Sequence, residues 1–212
     1  MMGRRRFLRG GAATALGVAS LMACGTDDPR PTTPPSPQAG RRVLLAYFSR
    51  AGENYYYGGR KNLDVGNTEL LARMISGSIA CDVHRVEAAA PYSDSYDDTV
   101  ARNVREQNAD ARPAIANPLP DIVGYGVVLL ASGLWNVRPP MIMRTFAERF
   151  DFTGKTVLPV TTYAVSGLGR APDDYRQACR GATIGEGLAV RGEEVGQAGA
   201  DVTAWLQRVG LR

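Results

Sequence analysis

Residues 43–48, 125–131 and 156–161 are near-continuous apolar runs of strand length. A strand that meets water on one side alternates apolar and polar residues, because successive side chains point to opposite faces. A strand apolar on both faces has to be covered on both, as in parallel sheets sandwiched between helices. Helical spacing fills the gaps between the runs. Residues 67–78 carry Leu70, Leu71, Met74 and Ile75 on one face, and 95–107 form a polar helix with Asp97 and Asp98 in its first turn. Residues 140–149 place a proline in a first turn, 173–179 make a short helix, and 193–209 close the chain with Val202, Leu206 and Val209 on one side. Residues 81–87 alternate in period two, as an edge strand does, and 182–190 supply a last strand. Five strands alternating with helices predict an α/β fold: a doubly wound, five-stranded parallel sheet.

In such sheets ligands bind beyond the carboxyl ends of the strands, where the strand order reverses. The loops to inspect are therefore 49–67, 132–139 and 161–172. All three are rich in Gly, Ser, Thr, Asn and aromatic residues. In the first, Ser49-Arg50-Ala51 and Gly66-Asn67-Thr68 become Ser-Arg-Ala-Gly-Asn-Thr once 14 intervening residues are removed. Removing 52–65 or 53–66 yields the same string, so Gly52 and Gly66 compete for the loop position. Hydroxyls and backbone amides converging on a helix N-terminus make an anion site, since free N–H groups and the macrodipole both favour negative charge. The intervening residues, with Tyr55-Tyr56-Tyr57-Gly58-Gly59, are expected to form a surface flap over or beside the ligand.

The ends of the chain restrict location and charge. Arg4-Arg5-Arg6-Phe7-Leu8-Arg9, a short apolar stretch and Met22-Ala23-Cys24 have the layout of a signal peptide over residues 1–23. The paired arginines resemble a twin-arginine export signal, and Leu21-Met22-Ala23-Cys24 resembles a lipobox, which implies acylation at Cys24. Residues 24–41, with five prolines, form a tether that cannot bury a core. The expectation is an exported protein at the outer face of the cytoplasmic membrane or in the periplasm, touching the membrane only through a lipid anchor, with one domain over 42–212. The first 23 residues hold four of the 25 basic side chains and none of the 21 acidic ones, so the remainder is close to neutral. Nothing in that balance favours nucleic acid. Cys81 and Cys179 are expected to be unpaired, the single histidine, His84, structural, and no Cys/His spacing suggests a metal.

Ser-x-x-Gly-Asn-Thr after a first buried strand resembles the phosphate loop of the flavodoxin family. The likeness extends over 42–212 through Pro91-Tyr92, Tyr96-Asp97-Asp98, Ala111-Arg112-Pro113 and Phe150-Asp151-Phe152-Thr153-Gly154-Lys155-Thr156. It implies strand order 2-1-3-4-5 and non-covalent FMN, whose phosphate would meet Ser49, Arg50, Ala51, Gly66, Asn67 and Thr68. Ala51 stands where the family has a threonine, a loss for which Asn54 or Arg50 would compensate. Ser132, Gly133, Leu134, Trp135 and Asn136 resemble the segment around the flavin ring, with Trp135 as its flat face. Thr161, Thr162, Tyr163, Ser166, Gly167 and Gly169 would serve the ring's polar edge, and Trp205 belongs to the core. The implied function is electron transfer or flavin-dependent reduction with a redox partner protein or a small-molecule electron acceptor. An NAD(P)H-dependent quinone or nitro reductase, and a flavin-free module binding another phosphorylated ligand, stay open as alternatives. Arg50, Arg60, Lys61, Arg138 and Arg170 outnumber Glu53 and Asp64 in these loops, which would favour an anionic reduced flavin.

Overall fold

The first strand, β1 (Arg42–Tyr47), sends its side chains into two different cores, which is why its sequence is apolar throughout. Val43, Leu45 and Tyr47 pack with Leu71, Val202 and Trp205 on one side of the sheet. Leu44 and Ala46, with Phe48 just beyond the strand, pack with Ile142, Phe146 and Tyr175 on the other. The computed structural model describes residues 42–212; the expected leader at 1–23, the tether at 24–41 and Cys24 lie outside the described residues.

After β1 comes a hairpin, β2 (Gly52–Tyr56) and β3 (Gly59–Leu63), then α1 (Asn67–Ser76), β4 (Asp82–Arg85) and α2 (Tyr96–Asn108). β5 (Tyr125–Gly133), α3 (Met141–Ala147), β6 (Thr156–Tyr163) and α4 (Ala171–Ala178) follow. The chain ends with β7 (Thr183–Ile184), β8 (Leu188–Arg191), a 3-10 turn at Gly192–Gln197 and α5 (Gly199–Arg208). All pairings in the main sheet are parallel, in the order β4-β1-β5-β6, with β7 and β8 both beside β6. Counting β7 and β8 as one fifth position, this is the doubly wound 2-1-3-4-5 order. Helices α1 and α5 contribute to the core on one face, α3 and α4 to that on the other.

Three expectations change in detail. The last strand is broken at Gly185-Glu186-Gly187, between the pairing Val157↔Ile184 and the pairing Val160↔Leu188. The break falls opposite Pro159, which has no N–H to donate to a neighbouring strand. Trp205, fully buried, donates its indole N–H to the Glu186 carbonyl at 3.1 Å and so ties α5 to the break. The closing helix starts later than expected, after the 3-10 turn. The intervening residues of the first loop are an ordered antiparallel hairpin, turning at Tyr57 (φ 43°) and Gly58 (φ 87°). Two successive positive φ angles match the type I′ turn that right-twisted hairpins favour.

Cys81 and Cys179 are both free thiols. His84 lies on the edge strand β4 with its ring stacked on Phe146 at 5.5 Å. Burial holds its pKa below the ordinary value, and Glu87 offsets part of that shift. A depressed histidine pKa means that the unfolded chain takes up the proton first as pH falls. Its contribution to stability is therefore full above the unfolded value of about 6.5 and is lost as pH drops below it. His84→Phe is expected to flatten the fall in urea-denaturation midpoint between pH 7.5 and pH 5 relative to the parent chain.

Candidate functional site

Three strands end at the same edge of the sheet. Registers Tyr47↔Ala131 and Gly133↔Thr162 bring the loops after β1, β5 and β6 together. They enclose a cavity of about 400 Å³.

One end of the cavity is the start of α1. Gly66 is the N-cap residue, and a Cβ there would collide with the Arg50 carbonyl and the Ser49 hydroxyl. Gly66 is thus the glycine of the core loop. Gly52 (φ 79°) instead turns the chain into the hairpin, where a Cβ would come within 2.8 Å of the Asp94 backbone. Ser49 Oγ accepts a hydrogen bond from the Glu69 amide at 3.1 Å, capping the helix from outside. Its own proton is left free to donate into the cavity. Thr68 Oγ1 shares a 2.7 Å hydrogen bond with Thr162 Oγ1. The amides of Asn67 and Thr68 open the helix and have no acceptor within it. Two hydroxyls and a helix N-terminus therefore converge on one point.

Arg50 lines the cavity, but its guanidinium is engaged: it donates to the carbonyls of Ser93 at 3.0 Å, Asp94 at 3.2 Å and Glu53. Burial pulls its pKa below the ordinary value, with Asp94 and Glu53 offsetting this in part. Asn54 also lines the cavity and donates to the Gly52 carbonyl at 3.0 Å. Ala51 lies between these two and does not reach the wall.

An aromatic wall stands against this polar end. Trp135 makes edge contacts with Tyr92, at 5.0 Å between centroids, and with Phe48, at 5.7 Å. It sits at the start of a tight turn closed by Trp135 N–H to Arg138 O at 2.8 Å, with Asn136 (φ 53°) and Val137 (φ 60°) left-handed. That conformation is unfavourable for a β-branched valine, so neighbours must hold it. Gln107 on α2 does so, donating to Trp135 O at 2.9 Å and accepting from Asn136 Nδ2 at 3.2 Å. From the other side the Arg170 amide donates to Val137 O at 2.8 Å.

Gly133, Leu134, Asn136, Thr162 and Tyr163 complete the expected residues on the wall. Ser132, Thr161, Ser166, Gly167 and Gly169 are not on it. Ser132 is fully buried within β5, and Thr161 Oγ1 donates to the Gly167 carbonyl at 2.9 Å. Gly169 packs against Leu134 and Val137, too close for any side chain. Gly169 buttresses the second loop from behind, and the third loop folds back on it through the Arg170–Val137 bond.

Sequence reasoning missed a whole wall: Tyr96, Thr99, Val100, Asn103 and Val104 of α2. Their spacing of three and four residues along an otherwise charged helix was the available signal. Phe48, Ala164, Gly192 and Glu193 were missed as well, and of the expected flap Tyr55 reaches the wall. The charge expectation is corrected too. Arg138 is bound in two-pronged fashion by Asp174 at 2.7 and 2.9 Å, and Arg60 pairs with Asp97 at 3.3 Å while lying over the Tyr96 ring. The charged residues lining the cavity are one cation, Arg50, and one anion, Glu193. Among the described residues no cluster of three or more His, Cys, Asp or Glu side chains could hold a metal.

Comparison with known proteins bears on this architecture. A family model described as Flavodoxin matches residues 42–209. A crystal structure of a protein from Bacteroides eggerthii DSM 20697 superposes with a TM-score of 0.63 at 23% identity, covering 81% of this chain and 99% of that one. A flavoprotein from Lactobacillus acidophilus NCFM, crystallised in complex with FMN, superposes with a TM-score of 0.54 at 15% identity, covering 74% and 97%. No curated protein matches the chain. At such identities the superpositions establish the fold alone.

The contact at Gly66 yields a test. Gly66→Ala forces a methyl group onto the Arg50 carbonyl and the Ser49 hydroxyl. Overpacking of this kind should cost about 1–3 kcal/mol in urea denaturation, whereas Gly196→Ala, with open space around it and no left-handed backbone, should cost less.

Proposed function

This chain belongs to the flavodoxin family, and we propose that it binds FMN non-covalently and serves as a redox flavoprotein. On this reading it passes electrons to a partner protein or to a small-molecule acceptor. The observation that carries the proposal is the bipolar cavity: an anion-binding corner at α1 and an aromatic wall at Trp135, in a volume within the range of small-molecule cofactor sites. The Lactobacillus acidophilus flavoprotein, of the same fold, binds FMN.

The residues present fit such a group. The Asn67 and Thr68 amides and the Ser49 and Thr68 hydroxyls are donors suited to a phosphate, and the absence of a side chain at Gly66 keeps β1's loop and α1 in contact there. Ala51 cannot contribute a hydroxyl; Ser49 and Thr68 carry that role, while Arg50 is held by backbone carbonyls. Phe48, Trp135 and Tyr163 offer apolar faces to a ring, and the Gln107 clamp orients Trp135. Bound FMN would supply the one- and two-electron chemistry, and the chain holds it, orients it and limits its contact with water. Arg50 and Glu193, the two charged residues on the wall, carry opposite charges, so the wall itself adds no net charge beside the flavin. Export through the leader at 1–23 and anchoring at Cys24 belong to the same proposal and rest on the sequence alone.

The purified chain should be yellow, or become so with FMN, and release FMN on denaturation. A colourless chain that takes up no FMN would refute the reading. Ser49→Ala and Thr68→Ala should each weaken FMN binding by roughly 1.5–3 kcal/mol, through loss of a charge-assisted hydrogen bond, and barely affect riboflavin. Fluorescence titration with both flavins checks this: equal losses for the two would place the phosphate elsewhere. Ser49→Ala also loses the cap on the Glu69 amide, a further ~1 kcal/mol of helix stability.

A further inference from the structure

The hairpin β2–β3 is fixed very unequally at its two ends. At its base, the Glu53 amide donates to Asp94 O at 2.8 Å, Glu53 Oε2 accepts from the Tyr96 amide at 3.2 Å, and Arg50 binds Ser93 O and Asp94 O. These join the base to the start of α2, and Arg60, one pair before the turn, adds an exposed ion pair with Asp97 and stacks on Tyr96 of the same helix. The tip reaches the opposite side of the cavity, where the Tyr57 amide donates to Glu193 Oε1 at 3.0 Å. Asn54 and Tyr55, behind the tip, line the cavity, as does Glu193 itself.

That tip contact is made under unfavourable conditions. Tyr57 adopts a left-handed φ of 43°, which a non-glycine residue enters reluctantly, and its side chain is 58% exposed, so packing does not hold it there. Glu193 Oε2 is buried with no hydrogen-bond partner among the described residues. A buried carboxylate oxygen left unpaired is disfavoured. A segment tied firmly at its base and by one hydrogen bond at its tip opens at the tip first.

We propose that β2–β3 is a hinged strap over the cavity and that Glu193 is its catch. Oε1 holds the Tyr57 amide, while Oε2 takes a hydroxyl or N–H donor from a ligand in the cavity, so a donor-bearing ligand strengthens closure and the closed strap slows the ligand's exchange. The application to FMN rests on the function proposed above; the catch itself does not.

The experiment has two arms. In the first, trypsin cleavage after Arg60 and Lys61 is followed without added flavin: both side chains are exposed on β3, but their backbone is paired with β2 and reaches a protease's active site only when the hairpin works loose. Glu193→Ala should speed this cleavage about tenfold or more, the loss expected of a hydrogen bond to a charged group. Glu193→Gln, whose amide oxygen still accepts from Tyr57, should restore most of the protection. Unchanged cleavage in Glu193→Ala would overturn the proposal. In the second arm, stopped-flow fluorescence measures FMN association and dissociation. Glu193→Ala should accelerate both, dissociation by the larger factor because the Oε2 contact with the ligand is lost together with the catch. Faster dissociation with unchanged association would make Glu193 an ordinary ligand contact and refute the strap. If the parent chain binds no FMN, the functional proposal fails, and the trypsin arm alone decides the catch.

Discussion

Gly66 presses on Ser49 and Arg50 so closely that no side chain fits between them, and the site depends on that contact. It joins the carboxyl end of β1 to the amino end of α1 even though a complete hairpin is inserted between them. Because the contact is direct, Ser49 can cap α1 from outside through the Glu69 amide, and Thr68 comes within 2.7 Å of Thr162 on the far strand β6. A displacement of α1 along its axis by one residue, about 1.5 Å, would break both hydrogen bonds. The parallel sheet supplies the frame in which this holds, since buried strands with both faces covered leave the loops at one edge as the place where polar groups gather.

Much of this frame was legible in the amino-acid order. The unbroken apolar runs at 43–48, 125–131 and 156–161 could only be strands covered on both faces, and β1, β5 and β6 are those strands. The glycine ambiguity was not resolvable, because Gly52 and Gly66 give identical strings and differ only in what their backbones touch. The break between β7 and β8 depends on which strand runs beside Pro159, a tertiary fact. The α2 wall escaped because that helix turns a neutral stripe, Thr99, Val100, Asn103 and Val104, towards a cavity; sequence patterns detect a greasy face turned towards a core. The charge count misled for a related reason. A cation such as Arg138 acts locally only if unpaired, and its partner, Asp174, is 36 residues away in the chain.

The second loop shows how a site can be stabilised from outside itself. Asn136 and Val137 are both left-handed, and the turn persists because Gln107 and the Arg170 amide grip it from two sides. Residues that never reach the cavity, such as Gly169, thus decide where Trp135 stands. The hairpin follows the opposite logic, with its bonds concentrated on the side of α2 and its tip lightly held across the cavity. The rigid parts present the cavity's polar and aromatic groups, and the lightly held part lies beside the cavity.

In the function proposed above, the start of α1 receives the phosphate of FMN. Amide NMR of the ¹⁵N-labelled chain tests it directly, by comparing FMN with riboflavin at saturation. The Asn67 and Thr68 amides are expected to shift strongly with FMN and little with riboflavin, while the Trp135 indole N–H shifts with both. Equal shifts of Asn67 and Thr68 with the two flavins, or none with either while Trp135 responds, would contradict it.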